Sequence, residues 1–91
     1  MSGTGGYNAN YGTVAVAATA TLIASAKMRS RIIVQNNHAS QTLHLGDDAN
    51  VTTANGLKLA AGASVTLEGF SGPVWGIGSG ADTTTNYFEV S

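Results

Sequence analysis

Arg29-Ser30-Arg31-Ile32-Ile33-Val34-Gln35 is the stretch on which the fold turns. Three branched apolar residues stand in a row, and branching at Cβ favours extended backbone over helix. A turn by composition follows, Asn36-Asn37-His38-Ala39-Ser40, and then Thr42-Leu43-His44-Leu45 alternates and stops at Gly46.

The same grammar runs outward in both directions. Downstream, Asp47-Asp48-Ala49-Asn50 reads as a loop, and Asn55-Gly56 is the strongest short turn signal in the chain. Leu57-Lys58-Leu59, Ser64-Val65-Thr66-Leu67-Glu68, Val74-Trp75-Gly76-Ile77 and Thr85 to Val90 read as strands. Ala61-Gly62 and the segment from Gly69 to Pro73, which holds the only proline, separate them. Upstream, Val14 and Val16 alternate with Thr13, Ala15 and Ala17, and a run from Thr19 to Ser25 carries Leu22 and Ile23. The stretch from Thr13 to Met28 is alanine-rich, but its branched Val14, Val16, Thr19, Thr21 and Ile23 favour strands over a helix.

Seven or eight short strands at spacings of roughly 8–12 residues predict an all-β fold, a single antiparallel β-sandwich of jelly-roll type. Alternation points Val14, Val16, Ile32, Val34, Leu43, Leu45, Leu67, Trp75 and Ile77 inward. Residues 1–12, rich in Gly and Asn, predict an extended N-terminal arm, which leaves residues 13–91 for the sandwich domain.

Composition narrows the role. Ala, Gly, Thr, Ser and Asn make up more than half of the 91 residues, and charged residues only 10%. An ordinary soluble domain carries about 25% charge. A skin of short neutral side chains suits close packing against neighbours, because such groups lose little rotamer entropy when ordered. The net charge of −1 exerts no long-range pull on nucleic acid or anionic lipid. There is no cysteine, so neither a disulfide nor a thiol nucleophile is available, and no apolar run is long enough to span a bilayer. The opening Met1-Ser2-Gly3-Thr4-Gly5-Gly6 lacks the features of a secretory signal, and the expectation is synthesis in a cytoplasm.

Motifs for chemistry fail one by one. Gly76-Ile77-Gly78-Ser79-Gly80-Ala81 has the letters of a dinucleotide loop, but the mechanism needs a following helix and an acid about 20 residues on. Asp48-Ala49-Asn50-Val51-Thr52 opens like a calcium loop, yet Thr53 stands where the sharp-turn glycine belongs and Leu59 where the closing carboxylate belongs. Asn50-Val51-Thr52 is a glycosylation sequon without a secretory context. His38 and His44 match no common metal spacing, no G-x-S-x-G elbow is present, and Glu68 and Glu89 lie on separate strands. The expectation is a protein that is not an enzyme, with no catalytic residues, no cofactor and no metal.

One feature rises above this background. Lys27, Arg29 and Arg31 are three of the four basic residues and are spaced by two. In a strand they would point the same way and form a basic stripe suited to an acidic protein surface. Three charges without interleaved aromatics are a poor nucleic-acid site. In the arm, Tyr7 and Tyr11 are the anchors for a partner, each a large ring with a hydrogen-bonding tip.

Arg31 to Asn36, Leu43-His44-Leu45-Gly46, Asn55 to Leu59, Gly62-Ala63-Ser64-Val65 and Val74-Trp75-Gly76-Ile77 together resemble short structural proteins of tailed bacteriophages. The likeness covers roughly residues 13–91 and is nearest to capsid decoration, or cement, proteins. It implies a virion protein, often a homotrimer, that binds the major capsid protein on the outer surface of the head and stabilises seams between coat subunits. The competing expectation is a receptor- or glycan-binding module of a tail or head fibre, or a neck or tail accessory protein. In that reading Trp75, Tyr87 and Tyr11 would stack on sugar rings. A cytosolic scaffold with no viral link is the third.

Overall fold

The first half of this chain pairs with its second half read backwards. A computed structural model describes residues 9–91, which hold eight strands and no helix. They are β1 (Ala9–Val16), β2 (Thr21–Ala24), β3 (Arg31–Asn36), β4 (Leu43–Gly46), β5 (Leu57–Leu59), β6 (Ser64–Glu68), β7 (Val74–Gly78) and β8 (Thr83–Val90). Strand β1 pairs with β8, β2 with β7, β3 with β6 and β4 with β5, all antiparallel. Two further pairings, β3 with β8 and β4 with β7, complete a front sheet β1-β8-β3-β6 and a back sheet β2-β7-β4-β5.

Alternation drives the core. On β3, Ile32 and Val34 are fully buried while Arg31, Ile33 and Gln35 turn outward. Val16, Ile32 and Val34 from the front sheet meet Ile23, Leu43, Leu45, Leu59 and Val74 from the back sheet in one cluster. Val14 and Leu67 pack against its margin, half-buried. Burying each Val, Leu or Ile contributes about 1.5–3 kcal/mol.

Two expected core residues face the other way. On β7 the buried positions are Val74, Gly76 and Gly78, and Trp75 and Ile77 lie half-buried on the outer side of the back sheet. A period of two fixes which residues share a face but not which face is inside. Volume decides it. A Cβ on Gly76 would stand 2.7 Å from Ile23 Cδ1 and 3.1 Å from Leu43 Cδ1, so this face has no room for any side chain, least of all an indole. Gly78 likewise abuts the Thr83 hydroxyl. The two alternate glycines are the signal that could have set the phase.

The N-terminal boundary also differs. Ala9, Asn10, Tyr11 and Gly12 are the first half of β1, in register with Val90, Glu89, Phe88 and Tyr87. A Gly/Asn/Tyr segment with no pattern of its own becomes a strand because β8 offers it a ladder. Gly12 has a local reason: a Cβ there would press on the Tyr87 hydroxyl at 3.0 Å and on its ring at 3.1–3.2 Å.

Polar residues close the loops. Asn36, read as a turn residue, is the fully buried last residue of β3. Its Nδ2 donates to the carbonyls of Gln41 and Leu59, and its Oδ1 accepts the His38 N–H. His38 Nδ1 in turn accepts the N–H groups of Ser40 and Gln41. After β7 the glycine-rich segment turns through Asp82, at φ 56°, into β8 rather than into a helix.

Candidate partner-binding surfaces

The three cations do not form a stripe. The segment between β2 and β3 is not a strand, and β3 begins only at Arg31. Lys27 and Arg29 instead converge on one carboxylate. Lys27 Nζ is 2.8 Å from Glu89 Oε1, and Arg29 Nη1 is 3.0 Å from Glu89 Oε2. Glu89 sits on the inward side of β8 and is 3% exposed, and Arg29 is 8% exposed. Arg29 also donates to the carbonyls of Ser25 and Gly72, and its guanidinium lies 5.9 Å from the centre of the Phe70 ring. Asn10 Nδ2 adds a 3.2 Å bond to Glu89 Oε1. A buried charge needs partners, and here the partners tie β1, β8 and two loops together. Lys27 reaches Glu89 from an exposed position, and Arg31 is exposed as well, directly across from Glu68 on β6. Glu89 is the residue that sequence reasoning missed, since nothing local marks a lone strand glutamate as the counter-ion of residues about sixty positions earlier.

The outward face of the front sheet is different in kind. Tyr11 and Phe88, paired across β1 and β8, stack with ring centroids 6.1 Å apart and planes at 14°. Ile33 lies across from Phe88 on the other side. Asn86 accepts a 2.8 Å bond from the Thr13 hydroxyl, and Gln35 stands across from it. These residues bound a shallow depression of about 390 Å³. Tyr11 is 74% exposed and Phe88 42%, values well above those of ordinary core aromatics. Tyr7 lies outside the described residues.

On the opposite flank, a groove of about 360 Å³ opens between the edge strands β5 and β6. Leu45, Leu57, Leu67, Phe70 and Val74 line it, and Asp47 and Glu68 bring two carboxylates to it.

The remaining candidates separate. Of the rings read as sugar platforms, Trp75 is half-buried across from Leu22 on the back sheet, and Tyr87 packs against the core. Tyr11 alone is exposed. His44 is buried on β4, where Gly56 closes over its Cβ, and His38 is committed to its loop. Among the described residues no group of three or more His, Asp or Glu is placed to hold a metal ion.

No protein-family model, no curated protein and no solved structure matches this chain.

Proposed function

We propose that this protein is a virion structural module, a decoration or cement protein that docks on the major capsid protein at the outer surface of a tailed-phage head. The observation that carries the reading is an uncharged patch on the outward face of the front sheet, where Tyr11, Phe88 and Ile33 form an apolar centre rimmed by Thr13, Asn86 and Gln35. An exposed apolar patch with a polar rim is the anatomy of a protein–protein interface. The sandwich is read as a jelly roll. Its support is the strand order 1-8-3-6 and 2-7-4-5, which follows when a long ribbon of mirror pairs wraps around one core.

The basic residues take a smaller part than the sequence implied. Arg31 remains available to an acidic group of the coat; Arg29 serves the fold.

A second reading, a glycan- or receptor-binding module of a fibre, draws on the same patch. An exposed ring flanked by the amides of Asn86 and Gln35 offers both a stacking face and hydrogen bonds to sugar hydroxyls. Counting copies in purified particles by mass spectrometry separates the two. A copy number on the scale of the coat protein supports decoration. A handful of copies per particle, with binding to a glycan array, replaces decoration with the fibre reading.

A further inference from the structure

Each sheet of the sandwich has two edges, and three of the four edge strands carry a device against pairing. Strand β5 has only three residues, one of them Lys58. Strand β2 has four residues, and its register slips between Leu22 and Ala24. Strand β6 ends in Glu68. Short length, charge and bulges are the usual ways a sheet edge is kept from joining another.

Strand β1 has none of them. It runs eight residues, Ala-Asn-Tyr-Gly-Thr-Val-Ala-Val, without charge or proline, and its register with β8 is unbroken from Ala9 to Val16. In an antiparallel ladder, alternate residues turn their N–H and C=O away from the partner strand. Along β1 those groups point past the edge of the front sheet, and among the described residues no backbone group bonds to them. Most of the strand is exposed.

From this we infer that β1 is a pairing edge and that its partner is β1 of a second copy, antiparallel about a two-fold axis normal to the front sheet. The symmetry meets the chemistry. Such an axis sets odd residues against odd residues, so Tyr11, Thr13 and Ala15 of both copies stay on the outer face. On that face no like charges are brought together, because the nearest ones, Arg31 and Glu68, lie on β3 and β6, beyond β8; on the inner side Lys27, beside Asn10, is already paired with Glu89. The product is one sheet of eight strands, β6-β3-β8-β1 continued by its mate, and the two Tyr11–Phe88 stacks share one surface. This two-fold pair replaces the trimer implied by the resemblance. It goes beyond the decoration role and does not depend on it.

The test uses the full chain. Sedimentation velocity across the micromolar range should pass from one chain to two as concentration rises. Amide exchange read over the same range should slow about tenfold or more at alternate residues between Asn10 and Ala15 and stay constant on β6. Thr13→Lys with Ala15→Lys places charges on exposed outward positions of the edge and should leave only monomer with an unchanged circular dichroism spectrum. A monomer at every concentration, a three-chain species, or a dimer whose β1 exchange does not depend on concentration overturns the inference. So does a dimer that survives the two lysines. If the lysine variant fails to fold, the exchange measurement on the unaltered chain decides alone.

Discussion

Arg29 and Glu89 stand 60 residues apart in the chain and 3.0 Å apart in the fold, with both side chains almost wholly out of water. The pair is a tie between the loop entering β3 and the last strand. It changes what the basic residues can be asked to do, and it makes a quantitative expectation.

Arg29→Ala should destabilise the protein by about 2–4 kcal/mol, because it takes from Glu89 Oε2 its buried partner and from the Ser25 and Gly72 carbonyls their donor, while Lys27 and Asn10 still hold Glu89 Oε1. Lys27→Ala removes a cation whose side chain is 44% exposed and should cost less than about 1 kcal/mol. Equilibrium urea unfolding of the two variants checks the order. Equal losses would show that burial does not separate them. Docking tests of the surface charge therefore belong on Arg31→Ala, whose side chain is exposed, and not on a variant that also removes Arg29.

Gly76→Ala tests the phase of β7. The added methyl meets Ile23 Cδ1 and Leu43 Cδ1, so a loss of about 1–3 kcal/mol is expected from overpacking. Ile23→Val removes the atom in closest conflict. Combined with Gly76→Ala, it should cost less than the sum of the two single changes, by a coupling of about 0.5 kcal/mol or more. Thermal melts of the four-member cycle read the coupling; strict additivity would mean that Gly76 does not face Ile23.

Asn36→Ala leaves the Gln41 and Leu59 carbonyls and the His38 N–H without their partner. Loss of these bonds in a fully buried setting should cost about 1–3 kcal/mol or more. Asn37→Ala, one residue on and exposed, is the control and should change stability by less than about 0.5 kcal/mol.

Tyr11→Ser tests the proposed docking face. The ring is 74% exposed, so the melting temperature should hardly move. Binding to undecorated heads, measured by co-sedimentation, should weaken about tenfold or more, the scale of a lost aromatic anchor. Binding that is unchanged in Tyr11→Ser and in Phe88→Ser alike removes this face from the docking surface.

Much of the fold was legible. The branched run Ile32-Ile33-Val34 and the alternation of Leu43 and Leu45 gave strands with the correct residues inside, because side-chain direction repeats every two residues whatever the rest of the chain does. The partner-binding residues were legible only as types. Tyr11 is exposed as an anchor should be, but on a strand and not on a free arm. Lys27 and Arg29 were legible as charges and not as an internal tie, because their counter-ion comes from the other end of the chain.

The sequence by itself determined the strand periodicity, the turn positions and the nearly uncharged skin, since these follow from local sterics and composition. Only the tertiary structure decided which face of β7 is inside, that Ala9–Gly12 join a sheet, and that Arg29 is buried. Each of these depends on the volume, ladder or charge supplied by a segment tens of residues away: Ile23 and Leu43 against Gly76, Tyr87 to Val90 beside the start of β1, and Glu89 beneath two cations. A local pattern cannot carry that information, because the mirror pairing that creates it exists only when both halves of the chain are folded together.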